Sequence, residues 1–327
     1  MQPVEALPVR GAQPIPLRAR RGVGDFDSDH DRDLTSHPRR GQGDSSGSWR
    51  ADVLGTGVIR TSARLVFENP STAQRGPARL WAMTTSEVWG RQQAERYDAN
   101  QAGMYAPEVL NPTVDFLADL AGTGAALEFA IGTGRVGVAL TGRGVPVTGI
   151  ELSGPMVAQL RQKVGEAELP VIIGDMATTT IDGEFALVYL VFNTISNLRT
   201  QAEQVECFRN AARHLSPGGR FVIELWVPPI RRLAPGQQIV AMDVSDGHAS
   251  FDTYDLVTQQ CISHHYDRDA EGTIRYGSGG FRYVWPSECD LMAMVAGLEL
   301  ESRYADWRRS PFTSESDSHV SVWRKPA

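Results

Sequence analysis

From residue 126 onward, short apolar runs alternate with longer amphipathic segments. The apolar runs are Ala126–Ala130, Val147–Leu152, Val171–Gly174, Ala186–Phe192 and Arg220–Trp226. Between them, apolar residues recur at helical spacing over Gly134–Arg143, Pro155–Val164 and Ala202–Leu215. Buried strands joined by amphipathic helices are typical of a parallel sheet with helices on both faces. The pattern therefore predicts a doubly wound α/β fold.

Different patterns flank this core. Upstream, "VWGRQQAERYDANQAGMY" and "APEVLNPTVDFLADLAG" predict two helices. After Pro228, polar and apolar residues alternate between turn signals such as Asp269-Ala270-Glu271-Gly272, which predicts an antiparallel insertion over about 236–286. A helix from Ser287 and two strands, near Glu299–Trp307 and Val320–Arg324, complete the chain. We expect a mainly parallel seven-stranded sheet with a reversed strand near the C-terminus.

The first 82 residues differ from the rest in composition. They contain 12 Arg, no Lys and 9 acidic residues, and only Ala63–Phe67 resembles a strand. Such a segment is typical of disorder. Because "MTTSEVWG" from Met83 resembles an ordinary protein start, an over-extended start site is the second interpretation, and a basic nucleic-acid tail is the third. We place one domain at 83–327.

Composition narrows the class of protein. The 327 residues are 41% hydrophobic and 22% charged, as in globular proteins. Three separated cysteines indicate neither a disulfide framework nor a zinc knuckle, and we expect a cytoplasmic protein. No apolar run is long enough to span a membrane, and no signal pattern is present. Residues 83–327 carry 20 basic and 30 acidic residues, which favours small substrates over nucleic acid.

A glycine-rich turn follows the first predicted strand. The stretch from Gly132 to Gly137 spells G-x-G-x-x-G, and Glu151 lies about 20 residues on, as in dinucleotide sites. Glycines allow the backbone to approach a ligand closely, so the turn indicates a nucleotide-like cofactor. Glu128 precedes the turn, where its charge would repel a pyrophosphate. A cofactor with an ammonium and a sulfonium group suits that carboxylate better.

The same stretch resembles the first motif of class I S-adenosylmethionine-dependent methyltransferases, acid-x-Gly-x-Gly-x-Gly, with Ala130 in place of the first glycine. Four further segments match that family in order, namely "VTGIELSGPMV", "IIGDMA", "FALVYLVFNTISNL" and "ARHLSPGGRFVIELW". The resemblance covers about 100 residues well and extends more weakly from Tyr97 to the C-terminus. Within the family, the chain is most similar to bacterial small-molecule methyltransferases, including amino-sugar N-methyltransferases.

This resemblance implies S-adenosylmethionine as the cofactor. It assigns the ribose hydroxyls to Glu151, the adenine amino group to Asp175, and walls of the adenine pocket to Leu152, Met156 and Met176. The full set of implied cofactor-binding residues is Glu128, Ala130, Gly132, Thr133, Gly134, Arg135, Glu151, Leu152, Met156, Asp175, Met176, Ala177 and Leu190.

Candidates for catalysis and acceptor binding come from the strand ends and the insertion. His264 and His265 are adjacent on a predicted strand, so only one can face a pocket. Glu224 is a carboxylate within an apolar strand, which suits either a substrate contact or a structural ion pair. The candidate acceptor contacts are Tyr97, Tyr105, Asn193, Tyr254 and Trp285. No group of residues has the spacing of a metal site.

The sequence therefore predicts a methyltransferase acting on oxygen or nitrogen of a small molecule, where a base would help a hydroxyl more than a neutral amine. A nicotinamide-dependent oxidoreductase and a non-catalytic nucleotide-binding module are the alternatives from other classes. An RNA or protein methyltransferase is disfavoured by the acidic body. No feature of the sequence specifies the acceptor or the oligomeric state.

Overall fold

The computed structural model of the protein describes residues 89–269 and 271–327, with the side chains at 231 and 232 excepted. The strands are β1 (Ala126–Phe129), β2 (Val147–Glu151), β3 (Val171–Ile173), β4 (Phe185–Leu190), β5 (Leu215–Trp226), β6 (Ile239–Val244), β7 (His248–Asp255), β8 (Gln260–Arg268), β9 (Ile274–Arg282), β10 (Glu299–Tyr304) and β11 (Ser318–Arg324). The helices are α1 (Arg91–Asn100), α2 (Pro107–Ala121), α3 (Arg135–Thr141), α4 (Gly154–Leu160), α5 (Gln201–His214) and α6 (Pro286–Val295).

Within these ranges, seven strands form the central sheet in the order β10-β11-β5-β4-β1-β2-β3. Strands β1 to β5 are parallel, and β11 runs antiparallel to both β5 and β10. The predicted doubly wound sheet with its reversed strand is confirmed. Because the strand order changes direction at β1, the loops after β1 and β4 diverge and leave a crevice at the carboxyl edge of the sheet.

The two faces of the sheet are covered by different helices. Leu127 and Phe129 of β1 pack in a core with Phe208 of α5, whereas Ala126 belongs to a second core with Leu117 of α2 and Leu140 of α3. Alternate residues of a strand point to opposite faces. Glu128, between Leu127 and Phe129, therefore points to the side of α2 and α3, where it is buried.

The predicted insertion after β5 is also confirmed, since β6, β7, β8 and β9 form an antiparallel sheet in that order. Its last strand is tied to the main domain through Arg282, which is 4% exposed. This guanidinium donates to Gln204 of α5, to Gln259, and to Glu288 of α6 at 2.7 Å. A buried charge that is fully paired fixes the position of the strand that carries it.

Some boundaries differ from the predicted ones. Strand β5 begins at Leu215 rather than Arg220, because Leu215 pairs with Phe185 ahead of an irregularity at the Pro217-Gly218-Gly219 turn. Helix α4 ends at Leu160 rather than Val164, and tighter turns with i to i+3 hydrogen bonds follow it. The predictions for residues 1–82, including the strand Ala63–Phe67, lie outside the described residues. No helix in the described ranges is long and apolar enough to cross a membrane.

Candidate functional site

The loop between β1 and α3 is built from left-handed backbone. Gly132 has φ of +60° and Gly134 has φ of +82°, conformations that glycine adopts without steric cost. Ala130 has φ of +50° although it carries a Cβ, and it occupies the position of the missing motif glycine. The succession of left-handed residues turns the chain sharply from strand to helix, which leaves the loop backbone facing the crevice.

A first cavity of about 220 Å³ lies against this loop, at the carboxyl ends of β1, β2 and β4. It brings together many of the residues that the sequence assigns to the cofactor. They are Ala130, Gly132, Glu151, Leu152, Met156, Asp175 and Met176, joined by the acceptor candidates Tyr97 and Asn193. The remaining lining residues are Trp89, Gly174, Phe192, Thr194, Ser196, Asn197, Trp226 and Phe281.

Glu151 is the buried acid of the first cavity. One carboxylate oxygen accepts the Gly132 N–H and the other accepts the Ser153 N–H, each at 2.8 Å. Burial raises the pKa of Glu151, and these backbone donors oppose that shift. Each carboxylate oxygen has a second lone pair, so two hydroxyl donors of a ligand could still be accepted. A ribose diol fits this chemistry.

The adenine side of the first cavity is also consistent with the implied cofactor. Met156 and Met176 are buried apolar side chains in its wall. Asp175 accepts the Ala177 N–H at 2.6 Å through Oδ1, which fixes its carboxylate and leaves Oδ2 to accept from an amino group. The residues present therefore fit the adenosine part of S-adenosylmethionine. Ala177 acts here through its backbone and packs its side chain in the core.

Glu128 does not line the first cavity, in contrast to the argument that placed it beside a cofactor ammonium. It is 2% exposed and accepts the Tyr189 hydroxyl at 2.9 Å. Burial raises the pKa of Glu128 to about 8. A Cβ on Gly137 would lie 2.7 Å from Glu128 Oε2, so this glycine serves close packing inside α3. Glu128 thus lies in the protein interior next to α3, where it supports the loop that precedes this helix.

Thr133 and Tyr105 lie in a polar cluster beside the loop, which we call the α1 latch, rather than in the cavity wall. Asp98 of α1 accepts hydrogen bonds from the hydroxyls of Thr133, at 2.6 Å, and Tyr105. Lys163 pairs with Asp98 and donates to the Thr133 carbonyl at 2.9 Å. The latch fastens α1 to the loop, and it thereby places Tyr97, the residue before Asp98, in the cavity wall.

Three other residues assigned to the cofactor, Gly134, Arg135 and Leu190, do not line the first cavity, and Gly134 serves the left-handed turn of the loop. The guanidinium of Arg135 lies 5.6 Å from the centre of the Phe192 ring. Leu190 is fully buried in the core beneath the end of β4. Arg135 and Leu190 therefore support the cavity wall indirectly.

Glu224 holds the loop after β4. Its Oε2 accepts the Phe192 N–H at 2.8 Å, and its Oε1 accepts the Trp307 indole N–H at 2.6 Å. Phe192 and Asn193 both have positive φ, at +58° and +59°, so the loop needs such anchors. Glu224 lines neither the first cavity nor the second cavity described below. Its contacts orient Phe192 and Asn193.

A second cavity of about 180 Å³ adjoins the first beneath the inserted sheet. The two cavities share Asn193, Ser196, Trp226 and Phe281. The other lining residues of the second cavity are Val227, Pro228, Pro229, Met242, Asp252, Tyr254, Tyr283, Val284 and Asp317. Tyr254 is thus brought to the site as the sequence predicts. Trp285 packs beside Tyr254 and Tyr283 without lining the cavity.

Neither candidate histidine lines either cavity. His264 stacks on Phe251 at 4.9 Å and hydrogen-bonds Tyr276 at 2.8 Å, on the sheet face opposite Asp252. His265 shares the face of Asp252 but hydrogen-bonds Ser263 at 3.1 Å. The prediction that the two side chains point to opposite faces is confirmed, and the structure does not bring them to the cofactor residues.

Asp252, Trp226 and Phe281 are site residues that the sequence interpretation missed. The alternation in "SFDTYD" shows that Asp252 and Tyr254 share one face of β7. It does not show which face covers a cavity, because both faces of this strand carry aromatic and polar residues. Trp226 ends the fifth strand, a position that could have been selected from the carboxyl-edge rule alone.

Comparison with known proteins agrees with this geometry. Residues 126–219 match a family model described as a methyltransferase domain. The structure of the CcbJ methyltransferase from Streptomyces caelestis is similar, with a TM-score of 0.65 and 35% identity over 75% of this chain and 98% of that one. The chain is a class I S-adenosylmethionine-dependent methyltransferase.

Two curated relatives of this methyltransferase are informative. The cypemycin N-terminal methyltransferase of a Streptomyces species is 27% identical over 58% of this chain and 78% of its own length. The dTDP-3-amino-3,4,6-trideoxy-α-D-glucopyranose N,N-dimethyltransferase of Streptomyces venezuelae is 32% identical over 31% of this chain and 41% of its own. The second alignment spans less than half of either protein.

Proposed function

We propose that this methyltransferase transfers a methyl group to the nitrogen of a small-molecule amine, with amino sugars as the leading class. The observation that carries the proposal is the second cavity, which shares a wall with the cofactor-binding cavity. An acceptor held there lies next to the residues that border the cofactor, and proximity of this kind supplies much of the acceleration in group transfer.

The relatives support nitrogen as the acceptor atom. The cypemycin enzyme is named for an N-terminal methyl transfer, and the Streptomyces venezuelae enzyme for dimethylation of an amino-sugar nucleotide. A further relative from Saccharopolyspora spinosa, 30% identical over 43% of this chain, is named for the same reaction type on another amino sugar. All three acceptors are amines, although their molecular frameworks differ.

The lining of the two cavities also favours an amine. Among the described lining residues there is no histidine that could serve as a base for a hydroxyl. An amine exposes its attacking lone pair after losing at most one readily released proton, so it depends less on a base than a hydroxyl does. When bound, S-adenosylmethionine supplies an electrophilic methyl group on a sulfonium centre. Asn193 and Trp226 lie on the shared wall, where they can orient an acceptor towards the first cavity.

The test is a methyl-transfer assay on the full chain with S-adenosylmethionine. The acceptor panel contains dTDP-3-amino-3,4,6-trideoxy-α-D-glucopyranose, a peptide with a free N-terminus and cyclohexylamine, each beside its hydroxyl counterpart. We expect S-adenosylhomocysteine and an N-methylated product, detected by mass spectrometry, with at least one amine. Methylation of hydroxyl counterparts without methylation of any amine would contradict the proposal.

A further inference from the structure

Asp252 has a buried carboxylate, and one of its oxygens lacks a hydrogen-bond partner among the described residues. It lies on β7, is 5% exposed and lines the second cavity. Its Oδ1 has no hydrogen-bond partner in the part of the chain that the structure describes. A buried polar atom without a partner costs free energy, and a buried charge costs more, so such atoms call for an explanation. In a cavity beside a cofactor site, a ligand that donates a hydrogen bond is that explanation.

The other oxygen of Asp252 is held in place. The Tyr254 hydroxyl donates to Oδ2 at 3.1 Å from the same face of β7. Burial raises the pKa of Tyr254, and the neighbouring carboxylate raises it further, so the phenol keeps the proton that it donates. Because Tyr254 is itself 5% exposed, it has little freedom to move. The Asp252 carboxylate is therefore held in a fixed orientation.

Among the described side chains that line the second cavity, none is a cation that pairs with Asp252. The described lining of the second cavity includes the carboxylates of Asp252 and Asp317 but no Lys, Arg or His. Arg282, the buried cation of the inserted sheet, donates to Gln204, Gln259 and Glu288 instead. Asp317 already takes part in an interaction of its own. In the described lining, Asp252 is thus a carboxylate that an incoming organic cation can pair with.

The rest of the lining suits an organic cation. Trp226, Tyr254, Phe281 and Tyr283 place aromatic side chains around the same space. The faces of aromatic rings attract ammonium groups, most strongly where water is excluded. A carboxylate together with several aromatic side chains is a combination that binds an ammonium group and its carbon skeleton simultaneously.

We infer that the second cavity binds the acceptor as an organic ammonium ion, with Asp252 Oδ1 accepting a hydrogen bond from its N–H. The inference rests on the proposed function, because it takes the acceptor to be an amine. It concerns the form in which the acceptor binds. The reacting nitrogen then passes one proton to the Asp252 carboxylate, and its lone pair forms the new N–C bond as the S–C bond breaks and S-adenosylhomocysteine leaves.

The test measures binding without methyl transfer. The full chain is saturated with S-adenosylhomocysteine, and three probes are titrated by calorimetry at neutral pH, namely cyclohexylammonium, cyclohexanol and cyclohexyltrimethylammonium. We expect cyclohexylammonium to bind about tenfold more tightly than cyclohexanol, as for a charge-assisted hydrogen bond. The trimethylated cation lacks an N–H, so we expect it to bind less tightly than cyclohexylammonium.

In Asp252→Asn the preference for cyclohexylammonium over cyclohexanol should disappear, while the affinity for S-adenosylhomocysteine stays unchanged. Asp243→Asn is the matched control, because Asp243 is an exposed carboxylate on the adjacent strand β6. It should retain the preference. Absence of the preference in the wild-type protein, or its persistence in Asp252→Asn, overturns the inference.

The wild-type comparison of the three probes tests the inference even if Asp252→Asn does not fold. Failure of the proposed function is distinguishable from failure of this inference. A protein that methylates an amine without preferring cyclohexylammonium would refute this inference alone. A protein that prefers cyclohexylammonium but methylates only hydroxyl counterparts would refute the proposed function and leave Asp252 as a cation site that does not hold the acceptor.

Discussion

Ala130 illustrates how a single residue departs from its family motif at a measurable cost. An L-residue with left-handed backbone brings its Cβ close to the following carbonyl, at a cost of roughly 1–2 kcal/mol. Ala130 has φ of +50° and lines the first cavity, at the position where the motif has glycine. The loop that contains this strained residue is held through the Thr133 hydroxyl, which donates to Asp98, and Glu128 on the preceding strand accepts the Tyr189 hydroxyl.

Replacing Ala130 with glycine should stabilise the protein. Relief of strain is partly offset by the greater entropy of glycine in the unfolded chain, so we expect a gain of about 0.5–1 kcal/mol in the free energy of unfolding. Urea denaturation measures this. Ala139→Gly, in the interior of α3, is the control and should destabilise the protein by about 1 kcal/mol. A similar loss in Ala130→Gly would show that residue 130 is not strained.

Glu128 should make stability depend on pH. Its folded pKa of about 8 lies above the unfolded value of about 4.3, so the stabilisation is complete below the lower value. As pH rises between the two values, the unfolded chain releases the proton and the folded chain keeps it. Stability then falls by about 1.4 kcal/mol per pH unit, until the pH exceeds the folded pKa.

The measurement is urea denaturation between pH 5.5 and 8.5. In Glu128→Gln the decline in the free energy of unfolding should be smaller than in the wild-type protein. Glu184→Gln is the control, because Glu184 is exposed, and it should leave the decline unchanged. Equal pH dependence in Glu128→Gln and wild type would rule out a buried, protonated Glu128.

At the scale of elements, the first cavity depends on contacts between segments that are distant in sequence. The α1 latch connects α1 with the loop after β1 and with Lys163, just beyond α4. Glu224 of β5 connects the loop after β4 with Trp307, near the end of the chain. In each case a carboxylate anchors backbone that must adopt an unusual shape.

Breaking the latch should weaken cofactor binding without unfolding the protein. Asp98→Asn keeps the shape of the side chain but removes its charge, and Tyr97 next to it lines the first cavity. Because Asp98 is about one-third exposed, the ion pair contributes little, and we expect the Kd of S-adenosylhomocysteine to rise by about two- to fivefold. Calorimetry measures this value.

The control for the latch is Asp115→Asn. Asp115 of α2 pairs with Arg143 and lines neither cavity. This variant should bind S-adenosylhomocysteine as the wild-type protein does. An unchanged Kd in Asp98→Asn would mean that the position of α1 is independent of the latch.

At the scale of the whole molecule, the first cavity lies at the edge of the parallel strands, and the inserted antiparallel sheet covers the second cavity. Two cores on opposite faces of the main sheet hold its carboxyl edge in place. Arg282 fastens the inserted sheet to α5 and α6, so the second cavity keeps its position relative to the first. The site is therefore a product of both sheets.

Ligands that bind the native state raise the melting temperature of the whole molecule. At about 100 times its Kd, S-adenosylhomocysteine should stabilise the protein by about 2.7 kcal/mol. This corresponds to an increase in Tm of roughly 5 °C for a chain of this size. NAD should produce no increase, and differential scanning fluorimetry with both compounds measures the difference. A shift with NAD alone would contradict the assignment of the first cavity.

The sequence by itself determined the parallel sheet, its inserted antiparallel strands and most of the first cavity. These features depend on local periodicity and on the order of motifs, such as the glycines at 132 and 134 and the acid at 151. Residues at the ends of adjacent parallel strands must meet at one edge of the sheet. Glu151, Met156 and Asp175 could therefore be placed together without coordinates.

Only the tertiary structure decided what three other carboxylates do. Alternation along a strand shows that two faces exist, but packing decides which face is buried and against what. For this reason Glu128 is buried beneath the loop after β1, where it accepts a hydrogen bond from Tyr189. Glu224 accepts a hydrogen bond from Trp307, which is 83 residues away in the chain. Asp252 lines the second cavity, and one of its oxygens has no partner among the described residues, because the inserted sheet turns that face of β7 towards the site.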